Sequence, residues 1–265
     1  MSVTYARGEV GQGTRLFRGP LVSVLSVAGF LLAWFVAAEI AQSRLLPGPV
    51  AVIEYIVKES VHGDMLTELG ITLWRVAASF IVAMAIGSVI GLAMGQMPAL
   101  NRAFDPWLIV LLNLPALVII ILAYVWFGLN EAAAIGAVAL NKIPNVVVTL
   151  REGARALDPG LDEMARAYRL SSWSKLRNVT LPQLQPYFAA ASRSGLSLIW
   201  KIVLVVELLG RSNGVGFELH LNFQLFNVTA ILGYTLAFVA VMLAIEYLLV
   251  QPIERHSTRW RNKPV

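Results

Sequence analysis

The stretch "DEMARAYRLSSWSKLRNVTLP", residues 162–182, is charged and helix-prone, and it lies between long apolar runs. The 265-residue chain is 57% hydrophobic and only 14% charged, and its mean hydropathy is +0.69. These values lie outside the usual range of soluble proteins. Helices of about twenty apolar residues cross a hydrocarbon core of roughly 30 Å and satisfy their own backbone groups there. The sequence therefore predicts an all-α polytopic membrane protein.

The apolar runs predict six transmembrane helices. The first run lacks the small-residue cleavage site of a removed signal peptide, so we expect it to be a retained helix. We divide the chain into a leader over residues 1–20, a transmembrane domain over 21–252 and a tail over 253–265. The predicted spans are Leu21–Ala41, Leu69–Met97, Trp107–Phe127, Ala132–Leu150, Leu184–Gly210 and Val228–Val250.

The positions of lysine and arginine predict the orientation, because short cytoplasmic loops carry an excess of these residues. If the N-terminus is inside, the cytoplasmic segments hold fourteen of the 21 basic residues, the opposite side holds three and the helices hold four. Both termini are therefore expected in the cytoplasm. The net charge of +5 needs no nucleic-acid partner, since positive loops beside anionic membrane lipid account for it.

The opening stretch belongs to the longest loop on the predicted cytoplasmic side. Asp158 followed by Pro159 is typical of a helix start, with a capping side chain and a proline in the first turn. A second short helix is expected after Ser171 or Ser172, and Pro182 is expected to end this unit before the fifth span. The first short helix is amphipathic, and a helix lying on lipid headgroups is one interpretation of it. Its apolar stripe consists of Leu161, Met164, Ala165 and Tyr168.

These residues resemble the EAA loop of ABC importer permeases. In that family the loop forms short coupling helices that fit a groove on a cytoplasmic ATPase. The resemblance implies that the segment 151–182 transmits ATP-driven closure to the transmembrane helices, with Met164, Tyr168 and Arg169 also at the contact. The matching residues are Glu163, Ala165, Arg166, Ala167, Ser172, Trp173, Val179, Leu181 and Pro182.

The resemblance extends over most of the chain and is specific to the nitrate/sulfonate/taurine branch of those permeases. It implies a type I importer permease fold, working with a second permease copy or a paralogue, two ATPases that bind ATP and Mg, and an external solute-binding protein. A small anionic solute is the expected substrate, and heterocycles such as riboflavin or thiamine precursors and aromatic acids remain open. The matching stretches include "LPGPVAVI" at 46–53, "NRAFDP" at 101–106, "WFGLNEAA" at 126–133 and "WKIVLVVELLG" at 200–210.

One residue of the loop departs from the family pattern. Arg169 stands where the family usually has glycine, six residues after the glutamate. Glycine adopts a positive φ at no steric cost, whereas arginine tolerates it poorly. We therefore expect either the turn geometry or the fit to the ATPase to differ, and pairing with a different second permease is one possible consequence.

Two lysines within the spans are candidates for the substrate path. Ionisable residues cost roughly 2.5–3.5 kcal/mol at the centre of a membrane helix, so each needs a partner, water or a route to the interface. Lys142 and Lys201 could attract an anionic solute, and Trp200 could line the path beside them. The alternative is that each lysine pairs with a carboxylate such as Glu207 or extends to the interface. Arg75 is expected to lie close to a helix end.

Glycines and prolines within the spans leave two further alternatives open. Gly87, Gly91 and Gly95 form a smooth strip that serves either packing inside the subunit or a moving interface. Pro115 and Pro144 are expected to interrupt the third and fourth spans with kinks that serve either the structure or substrate binding.

Enzymatic functions are not indicated. The three histidines are scattered, there is no cysteine, and no glycine loop ends in Gly-Lys-Ser or Gly-Lys-Thr. ATP hydrolysis is therefore expected in a separate subunit, with no cofactor or metal held by this chain. The competing classes are an ATP-independent secondary transporter, which would use carboxylates near mid-span, and a membrane scaffold.

Overall fold

The computed structural model describes residues 20–252, and the rest of the predicted leader and the predicted tail lie outside these residues. The described part is helical. Its helices are α1 Pro20–Ala41, α2 Pro49–His62, α3 Met65–Gln96, α4 Pro98–Asn113, α5 Ala116–Phe127, α6 Glu131–Arg155, α7 Pro159–Ala167, α8 Ser172–Lys175, α9 Leu181–Gly210, α10 Val215–Gln224 and α11 Val228–Ile245. Leu176–Thr180 and Glu246–Val250 are π-helical turns.

The number of spans agrees with the sequence prediction. Within residues 20–252, five helices are long and apolar enough to cross a membrane, and a sixth span results if the bent pair α4 and α5 is counted as one. The helices α2 and α10 are additional elements that the run of apolar residues did not predict. Both lie beside α11, which follows α10 in the chain and packs on α2.

The third span differs from its prediction. A single helix over Trp107–Phe127 was expected, but the chain breaks at Leu114 and Pro115, and the two halves are bent by 98°. Pro115 has no backbone N–H and disfavours the helical conformation for the residue before it. Leu114 is accordingly extended, with φ −72° and ψ 127°. Pro144, by contrast, is buried inside a continuous α6.

The centre of the subunit is formed by α3, α6 and α9. The strip of Gly87, Gly91 and Gly95 faces α6, which confirms packing inside the subunit. A Cβ atom on Gly91 would lie 2.7 Å from the carbonyl oxygen of Val147, so any larger residue there forces the helices apart. Close backbone approach of this kind maximises the van der Waals contact that holds membrane helices together.

A charged network fastens the end of the bundle that lies opposite α7. Arg75 is the eleventh of the 32 residues of α3, so it lies towards one end of the helix as expected, and it is only 2% exposed there. It forms salt bridges with Glu131 of α6 at 2.7 Å and with Glu207 of α9 at 2.8 Å. It also donates to the backbone oxygen of Asn213 at 2.9 Å. The network therefore joins three core helices to the connection between α9 and α10.

Residues of one α3 face complete this arrangement. Glu68 and Thr72 precede Arg75 by seven and three positions, so the three side chains share a face. The carboxylate of Glu68 accepts from the N–H of Gly214, and Thr72 Oγ1 accepts from the N–H of Val215 at 2.8 Å. The backbone donors at the start of α10 are thereby satisfied inside the bundle.

The fifth span is longer than expected. Pro182 was predicted to end the unit before it, but α8, the π-helical turn and α9 form one continuous helical rod over residues 172–210. Leu181 N–H bonds to the oxygen of Leu176, five residues earlier. A wider π turn accommodates a proline that has no hydrogen to donate, so the chain passes Pro182 without a break. The loop segment is consequently coupled rigidly to a core helix.

Candidate coupling segment and polar helix face

The helix α7 begins as its sequence predicts. Asp158 Oδ1 accepts a hydrogen bond from the N–H of Gly160 at 2.8 Å, and Pro159 occupies the first turn. The N–H of Asp158 in turn donates to Gln183 Oε1 at 2.8 Å. Because Gln183 belongs to the first turn of α9, the start of α7 is fixed to the fifth span.

The helix α7 ends in a turn that uses a positive φ at Arg169. Its φ is +52°, the conformation that glycine adopts most readily. The N–H of Leu170 bonds to the oxygen of Ala165 at 2.9 Å, and the N–H of Arg169 bonds to that of Arg166 at 3.0 Å. This is the hydrogen-bond pattern of a Schellman motif. The expectation of an altered turn geometry is therefore wrong, since Arg169 adopts the left-handed conformation.

Salt bridges hold α7 and α8 together. Asp162 pairs with Arg166 at 2.8 Å within α7 and with Lys175 of α8. The Lys175 ammonium, followed by the Arg166 guanidinium, holds the pKa of Asp162 below its usual value. The helix α8 itself is capped by Ser171, whose Oγ accepts from the N–H of Ser174 at 3.2 Å, rather than by Ser172.

The candidate docking residues fall into an inward and an outward set. Ala165 is only 2% exposed and packs inside the subunit, whereas Tyr168 is 77% and Trp173 68% exposed. The predicted apolar stripe is therefore not one continuous surface, because its central alanine faces the protein. The other exposed candidates are Glu163, Met164, Arg166, Arg169, Ser172, Leu181 and Pro182.

The segment is also fixed at its first residue. Arg151, in the last turns of α6, pairs with Asp105 of α4 and donates to Asn101 Oδ1 at 3.2 Å. The start of the segment is therefore held by α4, and its end by α9.

Lys142 is a buried cation in the middle of α6. It is 1% exposed, and its Nζ lies 3.4 Å from Ser194 Oγ of α9. Among residues 20–252, no carboxylate oxygen lies within salt-bridge distance of it, so the alternative in which Lys142 pairs with Glu207 is wrong. Gly195 provides the room for this side chain, because a Cβ there would lie 2.9 Å from Lys142 Cε.

Lys201 lies on an exposed and polar face of α9. Ser194, Ser197 and Lys201 are all exposed, and their spacing of three and four residues places them on one side of the helix. We call these three residues the polar face of α9. The two serines were not among the sequence candidates, although polar residues at helical spacing within an apolar run are the signal that would have indicated them.

The other two path candidates have structural contacts. Trp200 is half-buried and packs edge-on against Phe238 of α11, with ring centroids 6.3 Å apart. Glu207 is fully buried, where it accepts from Thr72 Oγ1 at 3.0 Å and from the N–H of Gly216 at 2.9 Å as well as from Arg75. Both side chains therefore hold the helices together.

Comparison with known proteins identifies the family of this helical subunit. Residues 83–250, which include residues 151–182, match the family of binding-protein-dependent transport system inner membrane components. The chain belongs to that family. It is accordingly a multi-pass inner membrane permease subunit of an ABC importer, as the resemblance of the loop implies.

Named relatives and solved structures agree with this membership. The chain is 30% identical to the aliphatic sulfonates transport permease protein SsuC of Escherichia coli, covering 88% of this chain and 89% of the relative. It is 28% identical to the bicarbonate transport system permease protein CmpB of Synechococcus elongatus, over 75% and 76% of the two chains. For the nitrate import permease protein NrtB of the same organism, the identity is 27% over 71% of each chain.

Two solved transporters share the fold. An amino acid ABC transporter aligns with a TM-score of 0.59 and 20% identity, covering 72% of this chain and 93% of that one. The methionine ABC transporter MetNI in an inward-facing conformation aligns with a TM-score of 0.56 and 19% identity, covering 70% and 94%. At these identities the likeness concerns the fold alone.

Proposed function

We propose that this permease imports a small oxyanion and that residues 151–182 dock on a cytoplasmic ATPase, which binds ATP and Mg and hydrolyses the nucleotide. The assembly contains a second permease, either a copy of this chain or a paralogue, and an external binding protein that delivers the solute. The observation that carries the docking proposal is the exposure of Tyr168 and Trp173 on a segment fixed at both ends.

Exposed aromatic residues on a rigid support are typical of protein interfaces, where they supply much of the binding energy. Here the support consists of the Asp162–Lys175 salt bridge, the Asp158–Gln183 hydrogen bond and the continuous rod from α8 into α9. A push on the segment is thereby transmitted to a core helix. Glu163 is exposed beside them, at the position where the family motif carries its glutamate.

The substrate class is supported by the relatives. The sulfonate, bicarbonate and nitrate permeases named above all carry small anions with several oxygen atoms. An aromatic acid or a heterocycle is the second candidate, with no contact in this chain that favours it. Substrate competition separates the two. In vesicles containing the full complex, we expect ethanesulfonate or nitrate, but not a neutral heterocycle, to inhibit uptake of the native solute.

Alanine substitution tests the docking proposal. Trp173→Ala and Glu163→Ala should leave the permease inserted and lower copurification of the ATPase, for Trp173 by roughly tenfold or more, since interface hot spots contribute about 2 kcal/mol or more. Trp74→Ala is the matched control, because Trp74 is 64% exposed but lies on α3 near the opposite end. Full ATPase association and coupled uptake in both docking variants, with reduced binding of the segment to lipid vesicles, would indicate a lipid-bound segment instead.

A further inference from the structure

The helix α9 exposes polar side chains along a membrane-spanning helix. Lys201 follows Ser194 by seven positions, so the polar face extends over about 10 Å of helix. Lipid tails offer these groups no hydrogen bonds, and ionisable residues within spans accordingly face a bundle interior or a water-filled cavity. The polar face therefore lies against water or against another protein subunit.

Lys142 adds a second positive charge directly behind this face. Its ammonium group has three hydrogen-bond donors, and Ser194 Oγ at 3.4 Å is the acceptor found for it in the described part of the chain. Ser194 is itself exposed, so the serine hydroxyl stands between the buried ammonium and the surface of the subunit. The lysine ammonium is carried on a flexible four-carbon stem, so its position near Ser194 can adjust to a ligand.

The other large buried cation shows how the chain neutralises a charge when the role is structural. Arg75 is surrounded by the carboxylates of Glu131 and Glu207. Residues 181–206 of α9 contain neither aspartate nor glutamate, and the same is true of residues 132–151 of α6. A buried charge without a counter-ion is costly, so its retention indicates a ligand of opposite charge.

We propose that Lys142, Ser194, Ser197 and Lys201 form an oxyanion-binding wall of the translocation path. Ammonium groups are donors to the several acceptor oxygens of a sulfonate, nitrate or bicarbonate ion. The hydroxyls of Ser194 and Ser197 donate to the backbone oxygens of Ala191 and Arg193, each at 3.3 Å, and would rotate from these acceptors to donate to the anion. This inference rests on the proposed function, because it assigns residues to the path of the same solute. Gly195 keeps the space beside Lys142 open, since a methyl group there would press on Lys142 Cε.

Anion binding can be measured on the purified complex without transport. The melting temperature of the permease–ATPase complex in detergent is followed as nitrate or ethanesulfonate replaces gluconate at constant ionic strength. We expect a saturable rise for the native complex and for Lys58→Met, which removes an exposed lysine of α2. For Lys142→Met and Lys201→Met the half-saturating concentration should rise roughly tenfold, as expected for the loss of a charge-assisted hydrogen bond.

Equal half-saturation in Lys142→Met, Lys201→Met and the native complex would overturn the inference, and so would the absence of a saturable rise in the native complex. Gly195→Ala retains the charge but displaces the ammonium, and we expect it to weaken binding by several-fold. If Lys142→Met does not assemble, Ser197→Ala decides, because this serine is exposed, its one side-chain hydrogen bond in the described part of the chain is to the Arg193 oxygen of its own helix, and its loss should still weaken binding. If the native complex takes up oxyanions but anion binding is unchanged in these variants, the proposed wall is rejected and the proposed function stands. If the native complex binds the anions at this wall but does not take up oxyanions, the proposed substrate class is rejected.

Discussion

Arg75 Nη1 donates a hydrogen bond to Glu207 Oε1 at 2.8 Å, and this contact joins α3 to α9 across 132 residues of sequence. Both side chains are buried. The same arginine also donates to Glu131 and to the backbone oxygen of Asn213. At the end of the bundle opposite α7 and α8, these bonds hold α3, α6, α9 and the connection to α10 together. The end of α9 at Glu207 is therefore held to α3 and α6.

Removing one partner of the Arg75–Glu207 pair should destabilise the subunit strongly. Glu207→Met removes one of the two carboxylates that pair with the buried Arg75 guanidinium. We expect the free energy of unfolding to fall by roughly 3–5 kcal/mol. The double variant Arg75→Met/Glu207→Met should lose less than the sum of the two single variants. Unfolding in SDS, followed by circular dichroism, measures this, with the exposed Glu54→Gln as control. Additive losses would show that the two side chains act independently.

The glycines of α3 should differ in their tolerance of a methyl group. A Cβ on Gly91 would lie 2.7 Å from the Val147 oxygen and 3.0 Å from Leu150 Cβ, whereas a Cβ on Gly70 meets nothing within 4 Å. We expect Gly91→Ala to lose roughly 1–3 kcal/mol through overpacking. Gly70→Ala should be neutral or gain up to about 1 kcal/mol. Comparable unfolding midpoints for both variants would contradict this packing of α3 on α6.

Arg169→Gly should stabilise the end of α7. A left-handed conformation costs a residue with a side chain roughly 1–2 kcal/mol, and glycine avoids that cost. We expect a higher unfolding midpoint for Arg169→Gly, whereas Arg169→Val should lower it, and an unchanged or lower midpoint in Arg169→Gly would contradict the cost of this turn. Weaker association of Arg169→Gly would instead show that the guanidinium group contacts the partner.

The contact between α7 and α8 should depend on pH. The pKa of Asp162 is lowered from 3.8 by Lys175, so its salt bridge is present at higher pH and is lost as the pH falls through that lowered value. Spin labels on Ala167→Cys and Arg177→Cys report the separation, since the chain has no cysteine of its own. We expect a longer distance in strong acid and a pH-independent distance in Asp162→Asn. An equal lengthening of the distance in acid with and without Asp162→Asn would exclude this carboxylate as the cause.

The predicted orientation can be tested with single cysteines. Ser43→Cys and Ser212→Cys should react with a membrane-impermeant thiol reagent from outside the cell, and Ser257→Cys, in the tail, should not. The reason is the excess of basic residues in the loops on the predicted inner side. The reverse labelling pattern would overturn the orientation.

Local sequence rules predicted the spans and the helix starts because their causes are local. Asp158 and Pro159 set the start of α7, and apolar length sets the number of spans. The break at Pro115 was underestimated, because a proline disfavours the helical conformation of the residue before it, and only the packing of the fold decides whether the helix continues, as it does at Pro144. The Arg75 network could not be predicted, since it depends on the approach of residues far apart in sequence. For the same reason, the sequence indicated Lys142 or Lys201 as a possible partner of Glu207, whereas Glu207 pairs with Arg75.

The site was predicted to a similar extent. The motif indicated candidate coupling residues, whose role stays a prediction, and only the fold shows that Ala165 faces the protein whereas Tyr168 and Trp173 face outward. A substitution of Ala165 by tryptophan would consequently disturb the subunit itself, in addition to any contact with an ATPase. Lys142 and Lys201 were found from their cost in a membrane, and the exposed serines beside them became evident only from the helix packing.

The most direct test of the account is uptake of labelled ethanesulfonate or nitrate into vesicles that contain the permeases, the ATPase and the binding protein. We predict uptake with ATP, and none with a non-hydrolysable nucleotide or with the ATPase or the binding protein omitted. In the complex with Trp173→Ala, the ATPase should hydrolyse ATP with little uptake of the solute. The complex with Trp74→Ala should behave as the native complex does. Uptake that continues without ATP or without the ATPase would contradict the account and indicate a secondary transporter.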